Sequence, residues 1–185
     1  MASTRITPST VPRLAPILLY GLDLPFTAFS AAQHGGFKIG YLADRDGTSF
    51  KFFDLPVYVA CHGVVRGDLP SYGKYTFSVL PEESMFVRQV EQTIMETMDR
   101  LITLAEPAVN ITTVPLKSIT YENLLKAKLN KTVGLKQDSS VVPFDEHSSV
   151  LTNRTKVTMT LEINGMYHSD KGKGVIARIH SYRLD

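Results

Sequence analysis

One segment near the middle of the chain decides the fold, because it joins a short strand directly to a long helix. Residues 73–107 read GKYTFSVLPEESMFVRQVEQTIMETMDRLITLAEP. Aromatic and polar residues alternate over residues 74–80, which predicts a half-buried β-strand. Pro81 suits the first turn of a helix, and apolar residues then recur at helical spacing over residues 86–105. Pro107 closes the element, so we expect a helix of about six turns after the strand.

Four further strands are predicted on the N-terminal side of this segment. Asp46-Gly47 lies between two apolar runs, and this dipeptide suits the tight turn of a β-hairpin. Residues 63–73 are rich in glycine and contain Pro70, a composition that predicts a mobile loop. Five short strands suggest a barrel. The predicted strands cover residues 17–20, 37–42, 49–53, 57–62 and 74–80.

On the C-terminal side of the long helix the pattern changes twice. Residues 109–117 are β-branched and extended in character. Thr120 is a candidate N-cap for a short helix over residues 121–129. Residues 138–153 are polar and rich in serine, which predicts an irregular crossing.

The last part of the chain predicts a β-hairpin. Apolar and polar residues alternate strictly from Lys156 to Ile163, as in a strand with one wet face. Residues 174–182 are its predicted antiparallel partner. The connection is predicted to run through Asn164-Gly165 and a glycine-containing tip at residues 171–174.

The length and composition predict one domain. The chain has 185 residues, of which 43% are hydrophobic and 21% charged, enough for one substantial core. Residues 1–16 contain three prolines and several Ser and Thr residues, so we expect a flexible N-terminal arm followed by a single domain over residues 17–185. The predicted class is mainly β with one long helix, an α+β fold.

The charge is distributed unevenly along the chain. The formal net charge is only +2, which excludes a general polycation and means that an anionic partner must meet a local patch. Residues 1–107 hold nine Lys/Arg and eleven Asp/Glu, whereas residues 108–185 hold eleven Lys/Arg and seven Asp/Glu. The C-terminal part is therefore the basic one.

Single-stranded nucleic acid needs cations for its phosphates and aromatic faces for its bases, and the sequence supplies both. Phe50, Phe52 and Phe53 cannot all face inward on a two-residue period, so one of them should lie beside Lys51 on the surface. The lysine series after residue 116 has the alternative reading of an ordinary solvated face. We predict nucleic-acid contacts from Lys51, Phe52, Tyr72, Lys74, Lys126, Lys128, Lys131, Arg154, Lys156, Lys171 and Lys173.

Patterns typical of enzymes are weak. The five histidines lack the spacing of a helical metal pair, and adjacent Cys61 and His62 would point to opposite faces of a strand. A single cysteine excludes an internal disulfide and fits a reducing compartment. We therefore expect no enzymatic activity, no metal, no cofactor and no small-molecule substrate. The N-terminal residues lack a signal-peptide core and no apolar run approaches membrane-spanning length, so we expect an intracellular protein that is not secreted and has no membrane partner.

The order of these features resembles the single-stranded-DNA-binding proteins of the nucleocytoplasmic large DNA viruses. The similar features span residues 74–165: the strand led by Tyr75, the helix carrying Asp99, Asn110, the segment from Thr120 to Leu129, the lysines from Lys131 to Lys136, and the strand from Lys156 to Ile163. The resemblance implies an OB-like five-stranded barrel with a packed helix and a C-terminal β-hairpin. It also implies sequence-independent binding of single-stranded DNA in replication or recombination, in the nucleus or at a cytoplasmic viral replication site.

A second class of protein fits the same features. A β-rich, self-assembling viral structural protein without catalytic activity would also have an extended arm, short alternating strands and a near-neutral charge. The choice between DNA and RNA, and the formation of a homo-oligomer, are left open by the sequence.

Overall fold

A computed structural model describes residues 3–5, 38–45, 48–69, 72–105, 108, 110–144 and 150–185. Within these ranges the chain forms nine strands and one helix, so the fold is α+β and mostly β, as predicted. The strands are β1 (Ser3–Arg5), β2 (Lys38–Arg45), β3 (Thr48–Val65), β4 (Tyr75–Val79), β5 (Thr120–Tyr121), β6 (Leu124–Leu135), β7 (Val141–Pro143), β8 (Lys156–Ser169) and β9 (Gly172–Leu184), and the helix is α1 (Pro81–Ala105).

The strand–helix segment is confirmed. The helix begins at Pro81 and ends at Ala105, with Glu82 and Glu83 in its first turn, where carboxylates complement the positive end of the helix dipole. One face of α1 is buried at helical spacing: Phe86, Val90, Ile94, Met98 and Ile102.

The antiparallel pairing of the strands on either side of Asp46-Gly47 is confirmed, the dipeptide itself lying outside the described residues, but the second strand is longer than predicted. β2 and β3 pair in antiparallel fashion, with Arg45 opposite Thr48. The two predicted strands at 49–53 and 57–62 are one 18-residue strand, β3. The strand continues past Pro56 without a turn, and every second residue after it, Val57, Val59 and Cys61, is buried in the core. The predicted strand at 17–20 and residues 6–16 of the arm lie outside the described residues, whereas Ser3–Arg5 pairs with β2.

The predicted short helix at 121–129 is wrong. Glu122 and Asn123 have φ angles of 47° and 61° and connect β5 to β6 as a two-residue hairpin turn. In β6, Leu125 and Ala127 are buried whereas Lys126 and Lys128 are exposed, a period of two rather than 3.6. Cross-strand packing outweighs the helix preference of this lysine- and leucine-rich stretch.

The final hairpin is confirmed in its strands but not in its turn. β8 continues through Asn164-Gly165 to Ser169, and the turn lies at Asp170-Lys171. Gly165 and Met166 are buried inside the strand, so this Asn-Gly pair belongs to the packed sheet. Ile163 and Met166, on either side of this pair, are buried, and their packing outweighs the local preference for a turn.

The strands hydrogen-bond in the order β1-β2-β3-β4-β6-β9-β8, with β5 and β7 beside β6 and an additional pairing of β3 with β8. The pairings β3–β4 and β4–β6 are antiparallel, whereas β6 and β9 run parallel. Contacts divide the chain into two compact units. The first unit comprises Met1–Tyr58, Gln89–Ser118 and Ile163–Ile176, and the second comprises Val59–Arg88, Ile119–Glu162 and Ala177–Asp185.

Each unit has an apolar core. In the second unit the core includes Phe77 of β4, Leu125 of β6, Met159 and Leu161 of β8 and Ile179 of β9, all essentially without exposed surface. In the first unit it includes Ile94, Met98 and Ile102 of α1 together with Ile111, Ile163 and Met166.

Candidate nucleic-acid interface

The exposed side of β6 carries three predicted contact residues. Lys126, Lys128 and Lys131 are all exposed, while Leu125, Ala127 and Thr132 of the same strand are buried. This arrangement follows from strand alternation, since successive side chains point to opposite faces. The core requires the apolar residues to face inward, so the lysines are held on the solvent side.

The neighbouring strands add two more cations beside these lysines. Lys128 lies opposite Arg178 in the parallel pairing of β6 with β9, so both side chains project from the same face. Thr76 lies opposite Lys126 and Tyr75 opposite Ala127, and continuing this antiparallel register brings exposed Lys74 beside Lys128. We define the cationic strip as Lys74, Lys126, Lys128, Lys131 and Arg178.

The cations of the strip are not ion-paired within the described part of the chain. None of its five cations forms an ion pair there; the pairs present join Arg66 to Asp68, His180 to Glu162 and Arg183 to Asp185. Like charges directly opposite each other on neighbouring strands are destabilising. Lys128 and Arg178 therefore form a pair that an external anion would stabilise.

Lys131 occupies an irregularity in β6. The pairing of β6 with β9 shifts register between Leu129 and Val133, and Lys131 itself has a φ of 41°. A bulge of this kind redirects side chains and locally increases strand twist. Lys131 thus ends the strip at the point where β6 changes its partner from β4 to β7.

Tyr72 lies in the turn before β4 and is almost fully solvated. Its side chain is 93% exposed, and its φ of 44° is in the left-handed region, which is uncommon for a bulky residue. Lys74 follows two residues later and is also exposed. An exposed phenol ring near a row of cations is a suitable platform for a nucleic-acid base.

Arg154 and Lys156 each have an acidic residue nearby. Arg154 is exposed, and its charge contributes to lowering the pKa of Asp68 to about 2, although the hydrogen bond from Arg66 is the main cause. The backbone oxygen of Lys156 accepts a hydrogen bond from Asp185 N, which brings that terminal acidic residue close. These two predicted contacts therefore belong to a mixed-charge surface.

Lys171 of the β8–β9 turn and Lys173 at the start of β9 belong to the first unit. Lys171 is exposed in the turn. The ammonium of Lys173 donates to the carbonyl oxygen of Ile111 at 2.8 Å, and its backbone groups bond Pro115 O and Lys117 N. Lys173 is thus engaged in holding the segment after α1 against β9.

Two predicted contact residues remain, and the structure describes only their backbone pairing. Lys51 and Phe52 lie in β3, opposite Tyr41 and Gly40 of β2. The side chains of Lys51, Phe52 and Tyr41 lie outside the described ones, so the predicted surface aromatic in this strand stays a prediction.

Other polar residues of the second unit form a small hydrogen-bonded cluster. Thr158 Oγ1 lies 2.9 Å from His62 Nδ1 and donates to Asp185 Oδ1 at 3.0 Å. Arg183 donates to the same hydroxyl at 3.3 Å. Burial, reinforced by Glu83, raises the pKa of the neighbouring Cys61 thiol, which disfavours the reactive thiolate.

Sequence reasoning groups Arg178 with the cations of the final hairpin. Its position opposite Lys128 comes from a parallel pairing between distant segments, for which the sequence gives no local signal. Tyr121, outside the cationic strip, is an exposed aromatic that sequence reasoning missed; it is 72% exposed at the start of the β5–β6 hairpin. Asn123 was the available signal for this hairpin, since asparagine accepts a left-handed backbone and is typical of turns.

No described group of three or more His, Cys, Asp or Glu residues is arranged to hold a metal ion. The helix found in the described part of the chain lacks the sustained apolar length that crossing a bilayer requires. No protein-family model matches this sequence, and no curated protein is significantly similar to it.

Proposed function

We propose that this protein binds single-stranded DNA without sequence preference, using the cationic strip of the second unit. The observation that carries this proposal is the pairing of Lys128 with Arg178 on adjacent strands, flanked by Lys126 and Lys131. With no carboxylate of the described residues paired to these cations, a polyanion is the partner that best compensates their mutual repulsion.

The strand pairings support an OB-like barrel as the scaffold. The order β3-β4-β6-β9-β8 combined with the additional β3–β8 pairing forms a ring of five strands. If these strands are counted from one to five in chain order, the ring reads one-two-three-five-four. OB folds are five-stranded Greek-key barrels that bind oligonucleotides on the face of their second and third strands. These correspond to β4 and β6, which carry or adjoin Lys74, Lys126 and Lys128.

In the proposed binding mode, lysines contact the phosphates and one tyrosine ring stacks on a base. Lys126 and Lys128 are two residues apart on one strand, hence about 6.6 Å apart along it, which suits successive phosphates of an extended single strand. Tyr72 stacks on a base, an interaction worth roughly 1–3 kcal/mol. Neither contact reads base edges, so binding is independent of sequence.

Salt dependence gives the direct test. Fluorescence anisotropy of a labelled oligothymidine is measured against protein concentration at several salt concentrations, with a duplex of the same length as the comparison. Each phosphate contact to a single strand contributes a slope of about −0.7 to log K against log salt, so the five cations predict a slope near −3.5. The single strand should bind more tightly than the duplex.

The matched variants are Lys128→Gln and Gln92→Lys. Lys128→Gln should reduce the slope by about 0.7, whereas Gln92→Lys adds an exposed charge on α1 and should leave it unchanged. Binding that is independent of salt, or equally strong in Lys128→Gln at every salt concentration, would contradict the proposal. The setting implied by the family resemblance, viral DNA replication or recombination, remains part of the proposal.

A further inference from the structure

The second unit carries two exposed apolar surfaces that the proposed binding site does not use. The first, which we name the hairpin surface, consists of Leu80, Met85 and Tyr121, which are 64%, 60% and 72% exposed. The second, the β7 surface, consists of Val133, Leu135 and Val141, at 47%, 43% and 64%. Large apolar side chains grouped on a surface mark sites of protein contact.

Backbone and side-chain hydrogen bonds hold the hairpin surface together. Val79 N donates to Asn123 O, which places Leu80 beside the β5–β6 turn. Arg88 Nε donates to Thr120 Oγ1, which brings the second turn of α1, and Met85 one turn earlier, to the same hairpin. Its exposed rim carries the carboxylates Glu82 and Glu122.

The β7 surface is equally well defined. Leu135 lies opposite Val141 and Val133 opposite Pro143 in the antiparallel pairing of β6 with β7. Its rim carries Lys131 and Lys136, both exposed. Asp138 is also present, but it is engaged by the backbone and hydroxyl of Ser140 and lies beside Lys136.

The two surfaces lie at opposite ends of one strand. The hairpin surface adjoins the start of β6 and the β7 surface its end, and a twelve-residue strand at about 3.3 Å per residue extends roughly 35–40 Å. The hairpin rim carries two exposed carboxylates beside Arg88, whose guanidinium donates to Thr120, and the β7 rim carries two exposed lysines, so each surface is more complementary to the other than to itself. A contact of this type joins copies head to tail.

We infer that the hairpin surface of one copy binds the β7 surface of a second copy, forming a head-to-tail contact. Apolar residues supply the buried centre, while Glu82 and Glu122 face Lys131 and Lys136 of the next copy. Because the same contact is available again at each free end, the chain length of the assembly grows with protein concentration.

The consequence for nucleic acid rests on the proposed function, whereas the contact itself does not. Lys126 and Lys128 of the cationic strip lie on β6 between the two surfaces, whereas Lys131 lies on the rim of the β7 surface. Consecutive copies joined along β6 would therefore align their strips, giving one single strand a continuous series of phosphate contacts across several copies.

Two variants that each remove one surface test the inference in the absence of nucleic acid. Tyr121→Lys disrupts the hairpin surface and Leu135→Glu the β7 surface. Sedimentation velocity of the wild-type chain should show dimers and larger species as concentration rises, while each variant alone should remain monomeric. An equimolar mixture of the two variants retains one intact pair of surfaces and should form dimers but nothing larger.

Several outcomes would overturn the inference. The first is a wild-type chain that is monomeric at every concentration. The second is a single variant that still dimerises, which would indicate a twofold contact of one surface with itself. The third is a mixture of the two variants that does not associate. Thr113→Glu adds a charge at an exposed position of the first unit and should assemble like wild type. Circular dichroism checks the fold of each variant. Binding of a short oligothymidine by the monomeric variants reports on the proposed function separately, because the cationic strip is intact in both.

Discussion

The lysines of β6 and the lysine of the β8–β9 hairpin have the same side chain but opposite environments. Lys126 and Lys128 extend from a strand whose other face is core, and nothing in the described part of the chain pairs with their charges. Lys173 is half-buried, and its ammonium donates to Ile111 O. A basic residue near the C-terminus can thus be a free charge or a structural hydrogen-bond donor, and strand register decides which.

Asp99 and Asn110 illustrate the structural side of this difference. Asn110 Oδ1 accepts the backbone N–H of Thr112, and Asp99 Oδ2 accepts its hydroxyl hydrogen. Nearby, the hydroxyl of Ser118 donates to the buried carboxylate of Glu91. The segment from 110 to 118 is therefore fixed by side chains of α1 and by Lys173, so charged and polar residues of the first unit stabilise the fold.

The largest expected effect comes from Gly174→Ala, which adds a methyl group where the first unit has no space. An ideal Cβ at this position would lie 2.8 Å from Tyr167 Oη and 2.9 Å from the carbonyl oxygen of Lys117. Overpacking of this kind typically costs about 1–3 kcal/mol, so chemical denaturation should show a loss of that size.

Gly172→Ala is the matched control for this prediction. Its added Cβ would lie 2.6 Å from Lys117 Cε, the far part of a flexible side chain that can move. We expect less than about 1 kcal/mol of destabilisation, since the methyl group also reduces the entropy of the unfolded chain. Neither variant should change oligothymidine affinity, and equal destabilisation by the two would contradict the packing argument.

The second prediction compares Lys173→Met with Lys128→Met. Both keep an unbranched apolar stem and remove an ammonium group. Loss of the Lys173 hydrogen bond removes the charged one of the two donors to Ile111 O, the other being Val114 N, and should lower the free energy of unfolding by about 1–2 kcal/mol while leaving DNA affinity unchanged.

Lys128→Met should lower the affinity for DNA without lowering the free energy of unfolding. It relieves the repulsion with Arg178, so its unfolding free energy should stay level or rise slightly, whereas its oligothymidine affinity should fall several-fold at low salt. Thermal unfolding and fluorescence anisotropy on the same samples provide the two readouts. The comparison between the two regions fails if both variants lose stability, or both lose affinity, to the same extent.

The third prediction concerns the backbone of Tyr72. Tyr72→Ala and Tyr72→Gly both remove the ring and should weaken binding of a single strand by the same roughly 1–3 kcal/mol expected for one stacked base. Only glycine relieves the left-handed φ of 44°, so Tyr72→Gly should be the more stable of the two by about 1 kcal/mol. Titration with oligothymidine and thermal unfolding measure the two effects independently. Two variants of equal stability would show that this φ carries no strain.

Sequence periodicity predicted the elements whose pattern is long and unambiguous. The helix from Pro81 to Ala105 combines a proline start with apolar residues at helical spacing, and the Asp-Gly dipeptide of the sequence predicted the pairing of β2 with β3. The segment at 121–129 was missed because Leu125, Ala127 and Leu129 fit a strand face about as well as a short helix. Burial against partners distant in sequence settles such a case, and local pattern cannot supply it.

The candidate site is likewise predictable from the sequence only in part. The exposure of Lys126 and Lys128 follows from alternation once β6 is known to be a strand. The adjacency of Lys128 to Arg178 depends on a parallel pairing between segments about 50 residues apart, which no local signal encodes. The engagement of Lys173 likewise depends on where the segment after α1 lies.

The smallest expected effect tests why Arg154 differs from the cationic strip. Arg66 donates two hydrogen bonds to Asp68, which lower the pKa of that carboxylate from 3.8 to about 2, with a smaller contribution from Arg154. Because the folded-state pKa lies below the unfolded value, the stabilisation is present above pH 3.8 and is lost as the pH falls through about 2. Asp68→Asn should therefore flatten the decline of the unfolding temperature between pH 4 and pH 2 by a small amount, as expected for a solvated pair. It should also free the Arg66 guanidinium and remove a negative charge near Arg154, so the salt slope for oligothymidine should steepen only if one of these two cations contacts DNA. An unchanged slope with the acid dependence flattened would assign Arg66, Asp68 and Arg154 to the structural class that Lys173 represents.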